Sequence, residues 1–201
     1  MIPEAVADLR RDLGIPVDPA RRGPTPLNRF FEELSQPRIA HHALPDLTRG
    51  AVVEHLRSQG IPADDLGDAA ERLAGFLFFA GKSAWAYVSE DEQNPLGRRR
   101  FTAAHELGHA VLHRDRMGRF RADAQILEGS DEPTDVLERE ANRFAVELLM
   151  PEEVIRARAD ELTREHDCCP RTVLEYRLAS ELLVSQQAMQ FRLKSLGVGD
   201  V

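Results

Sequence analysis

Phe101-Thr102-Ala103-Ala104-His105-Glu106-Leu107-Gly108-His109-Ala110-Val111-Leu112-His113 contains the pattern H-E-x-x-H. Helical residues four apart share one face, so His105 and His109 can hold one small metal ion between their imidazoles. Glu106 sits about 100° round the helix from His105, still beside that ion. A carboxylate there does not ligate. It takes a proton from water that zinc makes acidic, with a pKa near 7. The pattern is short and also arises by chance, so its surroundings have to decide. Small residues continue at Gly108 and Ala110, and Leu107, Val111 and Leu112 supply apolar surface. That composition predicts a buried helix in a cramped site, with Thr102 as its N-cap.

A hydrolytic zinc site needs a third protein ligand and leaves the fourth position to water. Six residues after His109 stands Asp115, but the Gly that a metzincin needs at the bend is replaced by Leu112, which argues against that class. The better source is the stretch from Asp135 to Pro151. Leu137, Ala141, Phe144, Ala145 and Leu148 recur at helical spacing and Pro151 ends the run. On a helical wheel Glu138 falls roughly 50° from the apolar stripe and Glu140 roughly 110° away. The geometry favours Glu138 as third ligand, with Glu140 as its competitor. Asn142, one turn beyond Glu138 and on the same side, can hold the Glu138 carboxylate from behind.

Arg100-Phe101-Thr102-Ala103-Ala104-His105-Glu106-Leu107-Gly108-His109, followed by Glu138-x-x-Ala141-Asn142-x-Phe144-Ala145-x-x-Leu148-Leu149-Met150-Pro151, resembles the ImmA/IrrE family of metallo-endopeptidases. Two separated motifs agree in order and spacing, and the resemblance covers roughly residues 50 to 196. It implies that His105, His109 and Glu138 bind Zn²⁺ and that Glu106 is the catalytic base. It also implies a protein substrate, a helix-turn-helix repressor whose cleavage relieves transcriptional repression, and so a part in transcription regulation and stress response. The fold it implies is α+β: a minimal zincin-like core with a small sheet and an active-site helix, followed by a helical unit.

The chain has 201 residues, enough for one domain and a small appendage. Its net charge of −8 argues against a general nucleic-acid-binding surface. Between Leu96 and Arg121, however, seven Arg face only Glu106 and Asp115. That run reads as a solvated flank, or as a rim drawing in an acidic substrate or phosphate backbone. Lys occurs only at 82 and 194. Cys168 and Cys169 are adjacent and cannot build a disulfide framework, which fits a reduced, cytoplasmic setting. No apolar run approaches the ~18 residues of a membrane span, and the N-terminus lacks a signal-peptide core.

Residues 1–48 carry seven prolines and are expected to form an extended, partly disordered arm with short helices at 4–13 and 27–34. His41 and His42 read as chance surface residues, since neighbours on a regular element point apart. Residues 49–165 are expected to form the metallopeptidase domain. Helices are expected over 48–58, capped by Thr48, and over 65–73. Two strands follow, 75–80 and 83–88. In metalloproteases a strand edge near the zinc helix often takes the substrate as an added strand, and residues 85–88 are the candidate.

Residues 166–201 are expected as a C-terminal helical unit, after a helix at 152–158. Helices at 171–182 and 186–196 flank a turn and scan like a helix-turn-helix. The turn lacks its Gly, since Leu183 stands there, and no wing follows. The segment reads as a packing or substrate-docking unit more than a DNA reader. For oxyanion stabilisation or substrate contact, His113 lies two turns beyond His105, and Tyr176 is the alternative. The rival to the protease reading is a non-catalytic DNA- or protein-binding regulator. The intact Glu106 speaks against it, because a pure binder needs no base.

Overall fold

The structure is a computed structural model describing residues 1–20, 22–64, 66–92, 94–123, 135–165 and 169–199. Among the described residues there are eight helices and a four-stranded sheet, an α+β architecture. The helices are α1 (Ile2–Asp12), α2 (Leu27–Glu33), α3 (Arg49–Ser58), α4 (Leu96–Leu112), α5 (Val136–Leu149), α6 (Glu152–Glu165), α7 (Arg171–Leu182) and α8 (Gln186–Leu196). The strands are β1 (Arg38–Leu44), β2 (Gly75–Ala80), β3 (Ser83–Ser89) and β4 (Phe120–Asp123).

Sheet order is β1-β3-β2-β4, with β1 parallel to β3 and the other two pairings antiparallel. The sheet is covered on both faces, which is why β2 and β3 are almost continuously apolar. Leu77, Ala84, Ala86 and Val88 face the main helical core, while Phe76, Phe78 and Tyr87 pack towards Val52 and Leu56 of α3. β3 is therefore an interior strand. Residues 85–88 cannot take a substrate strand, because both their edges are already paired. Among the described residues the edges are β1 and β4.

The N-terminal segment does not form the expected arm. α1 and α2 bury Val6, Leu9, Phe30 and Phe31 in the main core, and β1 joins the sheet. Its prolines punctuate elements instead of unfolding them: Pro3 lies in the first turn of α1 and Pro26 is the N-cap of α2. Buried Arg10 of α1 donates to the Leu148 carbonyl at 2.6 Å and to Thr25 Oγ1 at 3.0 Å, tying this segment to the end of α5.

Two further local expectations give way. Residues 66–73 are not helical; they run as turns, with Arg72 bridging to Thr48. Thr102 is not an N-cap, because α4 begins six residues earlier behind Pro95 and Thr102 is buried within it. Thr48 does cap α3, its side chain accepting from Ala51 N at 3.1 Å. α6 extends to Glu165, past the expected end at 158.

Helix α4 is the centre of the molecule, packed against α5 on one side and β2 and β3 on another. Gly108 makes the α4–α5 approach: a Cβ there would lie 3.0 Å from Phe144 Cδ1. Gly97 plays the same part for the C-terminal helices, since a Cβ would meet Ser185 N and Val184 C at 2.6 Å. Leu174, Leu178, Met189 and Leu193 of α7 and α8 thus share one hydrophobic cluster with α1 and α4.

Candidate metal centre

His105, Glu106 and His109 lie wholly buried in the middle of α4. His105 Nδ1 is 2.8 Å from Asn142 Oδ1 on α5. An amide oxygen only accepts, so Nδ1 carries the proton and Nε2 keeps its lone pair. His109 is set by a longer chain. Its Nδ1 lies 2.9 Å from His113 Nδ1, and His113 Nε2 lies 2.9 Å from Glu140 Oε2. Arg116 NH1 donates to the same Glu140 oxygen at 2.7 Å. Burial, followed by contact with Arg116 and His113, shapes a Glu140 carboxyl whose pKa ends below its usual range. A carboxylate only accepts, so His113 donates from Nε2 and accepts on Nδ1, and His109 donates from Nδ1. Both ligand-type imidazoles thus present a bare Nε2, and these atoms are 2.9 Å apart. Burial depresses the His109 pKa to about 4, keeping the ring neutral.

Two carboxylates face these nitrogens. Glu138 on α5 puts Oε1 at 3.0 Å from His109 Nε2 and Oε2 at 3.4 Å from His105 Nε2. Asp123, the last residue of β4, puts Oδ2 at 3.9 Å from His105 Nε2. One donor atom from each of His105, His109, Asp123 and Glu138 falls within 4.8 Å of the others. Arg121, two residues before Asp123 and so on the same face of β4, reaches Glu138 Oε1 at 2.5 Å and Asp135 Oδ2 at 2.9 Å.

Glu106 adjoins this group. Burial raises its pKa well above 4.5, the negative charges of Asp123 and Glu138 add to this, and Arg121 offsets part of it. Burial likewise raises Asp123 to about 6. Neither Glu106 oxygen has a hydrogen-bond partner among the described residues, and neither does Asp123 Oδ2. Three carboxylates and two imidazole Nε2 atoms gather here, and Arg121 contacts two of the carboxylates, Glu138 and Asp123. A divalent cation fits that arrangement, since among the described residues Asp123 Oδ2 and both Glu106 oxygens meet no donor.

The structure brings His105, His109, Glu138 and Asn142 together, but Asn142 holds the His105 ring and not the Glu138 carboxylate it was expected to support. Glu140 does not reach the group; it ends the chain that orients His109. His113 is thereby committed at both nitrogens to His109 and Glu140, which removes it as an oxyanion donor. Tyr176 stands 63% exposed on α7 and is not brought to the group. Asp123, Arg121 and Gly75 were not legible. β4 is only four residues long, and nothing in Phe120-Arg121-Ala122-Asp123 announces a strand beyond the i, i+2 spacing of its two charges.

Residues 86–194, more than half of the chain, match the peptidase M78 model described as the IrrE N-terminal-like domain. The chain belongs to the ImmA/IrrE metallopeptidase family. The comparison with curated proteins gives no match. The family match spans β3 to α8 and so contains every residue of the metal centre.

In this ImmA/IrrE chain the basic run from Leu96 to Arg121 is largely spent on structure. Arg99 donates to the Asn94 carbonyl at 2.6 Å and Arg100 to the Thr25 carbonyl at 2.8 Å. Arg114 and Arg119 hold the Gly81 and Pro62 carbonyls. On α8, Arg192 is buried, pairs with Glu147 at 2.7 Å and donates to the Met150 carbonyl at 3.0 Å. It is unavailable to a phosphate. Cys169 is a free, half-buried thiol, and Cys168 lies outside the described residues. No described helix is long and apolar enough to cross a membrane.

Proposed function

We propose that the protein is a zinc-dependent endopeptidase of the cytoplasm that cleaves a helix-turn-helix repressor. The observation that carries the zinc and peptidase part is the pair of bare Nε2 atoms and the Glu138 carboxylate converging beside a buried, unpartnered Glu106. Two neutral imidazoles and a carboxylate are the donor set of hydrolytic zinc sites. His105, His109 and Glu138 would hold the ion. Asn142 and His113 fix the two rings so that Nε2 points inward. Bound there, zinc supplies Lewis acidity that polarises a peptide carbonyl and lowers the pKa of water.

Glu106 is the proton carrier. Its carboxylate accepts a proton from the attacking water and returns it to the departing amine nitrogen. Its burial with no hydrogen-bond donor among the described residues leaves both oxygens open to that traffic. Arg121 is the cation best placed to offset charge at this site, being fixed by Asp135 and Glu138. The cytoplasmic setting is supported by cysteine usage. The repressor as substrate is supported by the family alone.

Purified protein should carry about one zinc per chain. Glu106→Gln should keep that zinc while cleavage of a helix-turn-helix repressor, followed by mass spectrometry, falls by about 10²- to 10⁴-fold. Glu138→Ala should lose most of the zinc. Proteolysis surviving in Glu106→Gln, or full zinc content in Glu138→Ala, would overturn the assignment of roles. Cleavage of other unfolded proteins with none of repressors would overturn the substrate only.

A further inference from the structure

A hydrolytic zinc site has three protein ligands and one open position, whereas a site with four protein ligands is closed. This chain brings four donors together, not three. Asp123 Oδ2 is 3.9 Å from His105 Nε2, and all four donor atoms lie within 4.8 Å of one another. The Asp123 side chain is 9% exposed; Arg121 Nε lies 3.6 Å from its Oδ1, but its Oδ2 has no hydrogen-bond partner among the described residues. Its backbone is anchored: Asp123 pairs with Gly75 of β2, and its carbonyl accepts from Ala74 N at 2.8 Å. The sheet pairing thus fixes the backbone position from which this carboxylate reaches the imidazoles.

We infer that Asp123 is a fourth protein ligand, so that the resting site is a closed His₂-carboxylate₂ centre. The inference rests on the metallopeptidase reading of His105, His109 and Glu138 and adds a residue to it. Two carboxylates and two neutral imidazoles balance a divalent ion. The position that water needs is then opened by withdrawing the Asp123 side chain, which sits at the end of a four-residue strand that pairs, among the described residues, with β2 alone. Access to the ion is governed by β4.

The test uses zinc alone, titrated against a chromophoric chelator, on the full chain and on Asp123→Ala, Asp123→Asn, His105→Ala and an Asp115→Ala control. A second readout is the visible spectrum of the cobalt(II) forms with added acetohydroxamate, a small ligand for open metal positions. Asp123→Ala should still bind one zinc but at least about tenfold more weakly, with Asp115→Ala unchanged. The cobalt spectrum of the unaltered chain should resist acetohydroxamate at concentrations that shift that of Asp123→Ala. Asp123→Asn keeps the shape of the side chain, and should behave like Asp123→Ala if the latter folds poorly. Equal zinc affinity in the unaltered chain and both Asp123 variants, with a hydroxamate response already present without substitution, overturns the inference. If His105→Ala still abolishes binding in that case, the three-ligand reading stands and only the role of Asp123 falls. If the unaltered chain binds no zinc, both fall.

Discussion

Gly75 and Glu106 stand so close that a Cβ on Gly75 would lie 2.0 Å from Glu106 Oε1. The first residue of β2 is thus the wall against which the proposed base rests. Asp123 pairs with the same Gly75, so one backbone position supports two carboxylates of the site.

Gly75→Ala is therefore expected to separate metal binding from catalysis. The obstacle is the end of a side chain, which can swing away, so the fold should survive. The swing moves the base by an ångström or more, and misplacement on that scale costs about 10²-fold in rate. Zinc content measured beside peptide hydrolysis checks this. Full activity in Gly75→Ala would show that Glu106 is not held where it works.

His113 and Glu140 should matter to the metal without touching it. Removing His113 frees His109 Nδ1 and leaves the ring to rotate. Loss of such a supporting partner typically costs 10–100-fold in affinity. His113→Leu should weaken zinc binding by about that much in chelator competition. Glu140→Ala should cost less, because Glu140 is partly exposed and water can replace it. A His113→Leu protein with unaltered affinity would refute the orienting chain.

These supporting residues explain what the sequence could and could not convey. His105, His109 and Glu138 were legible because helical period alone puts them on inward faces, and Glu138 won over Glu140 on the same geometry. His113 was legible as a neighbour but not in its role, since its partner Glu140 lies on another helix. Asp123 and β1 were opaque for a different reason. A four-residue strand and a strand set among prolines have no periodicity to read, and their places depend on long-range pairing with β2 and β3. The expected 65–73 helix failed because the segment is fixed by tertiary contacts: Leu73 N donates to the Leu47 carbonyl at 2.9 Å and Gly50 N to the Ala69 carbonyl at 3.0 Å.

Away from the site, His42 should make stability depend on pH. It packs on His55 with ring centres 4.3 Å apart and on Tyr87 at 5.4 Å. Burial, then the proximity of His55, lowers its pKa below 6.5. A folded-state pKa below the unfolded value gives stability that is present above pH 6.5 and lost as pH falls through the folded value. Thermal melts of chelator-treated protein should show a lower midpoint at pH 5.5 than at 7.5. In His42→Gln that difference should shrink. An unchanged difference would remove His42 as a contributor.

Leu183 holds the turn between α7 and α8 with φ 52° and ψ 51°, the left-handed conformation that Gly usually supplies after a helix. For a non-glycine residue this costs roughly 1–2 kcal/mol. Gly also loses more backbone freedom on folding, by roughly 0.5–1 kcal/mol. Leu183 is 38% exposed, so little packing is forfeited. Leu183→Gly should therefore stabilise the protein by up to about 1 kcal/mol in urea unfolding. Leu183→Ala keeps the strained backbone, so it should gain none of that stability. The Gly variant completes the turn of a helix-turn-helix pattern, yet it should gain no affinity for DNA. Arg192 stays locked on Glu147 and the Met150 carbonyl whatever occupies the turn. Salt-dependent, sequence-specific DNA binding by Leu183→Gly would show that α8 can release that arginine, and would reopen the case for a nucleic-acid-binding role.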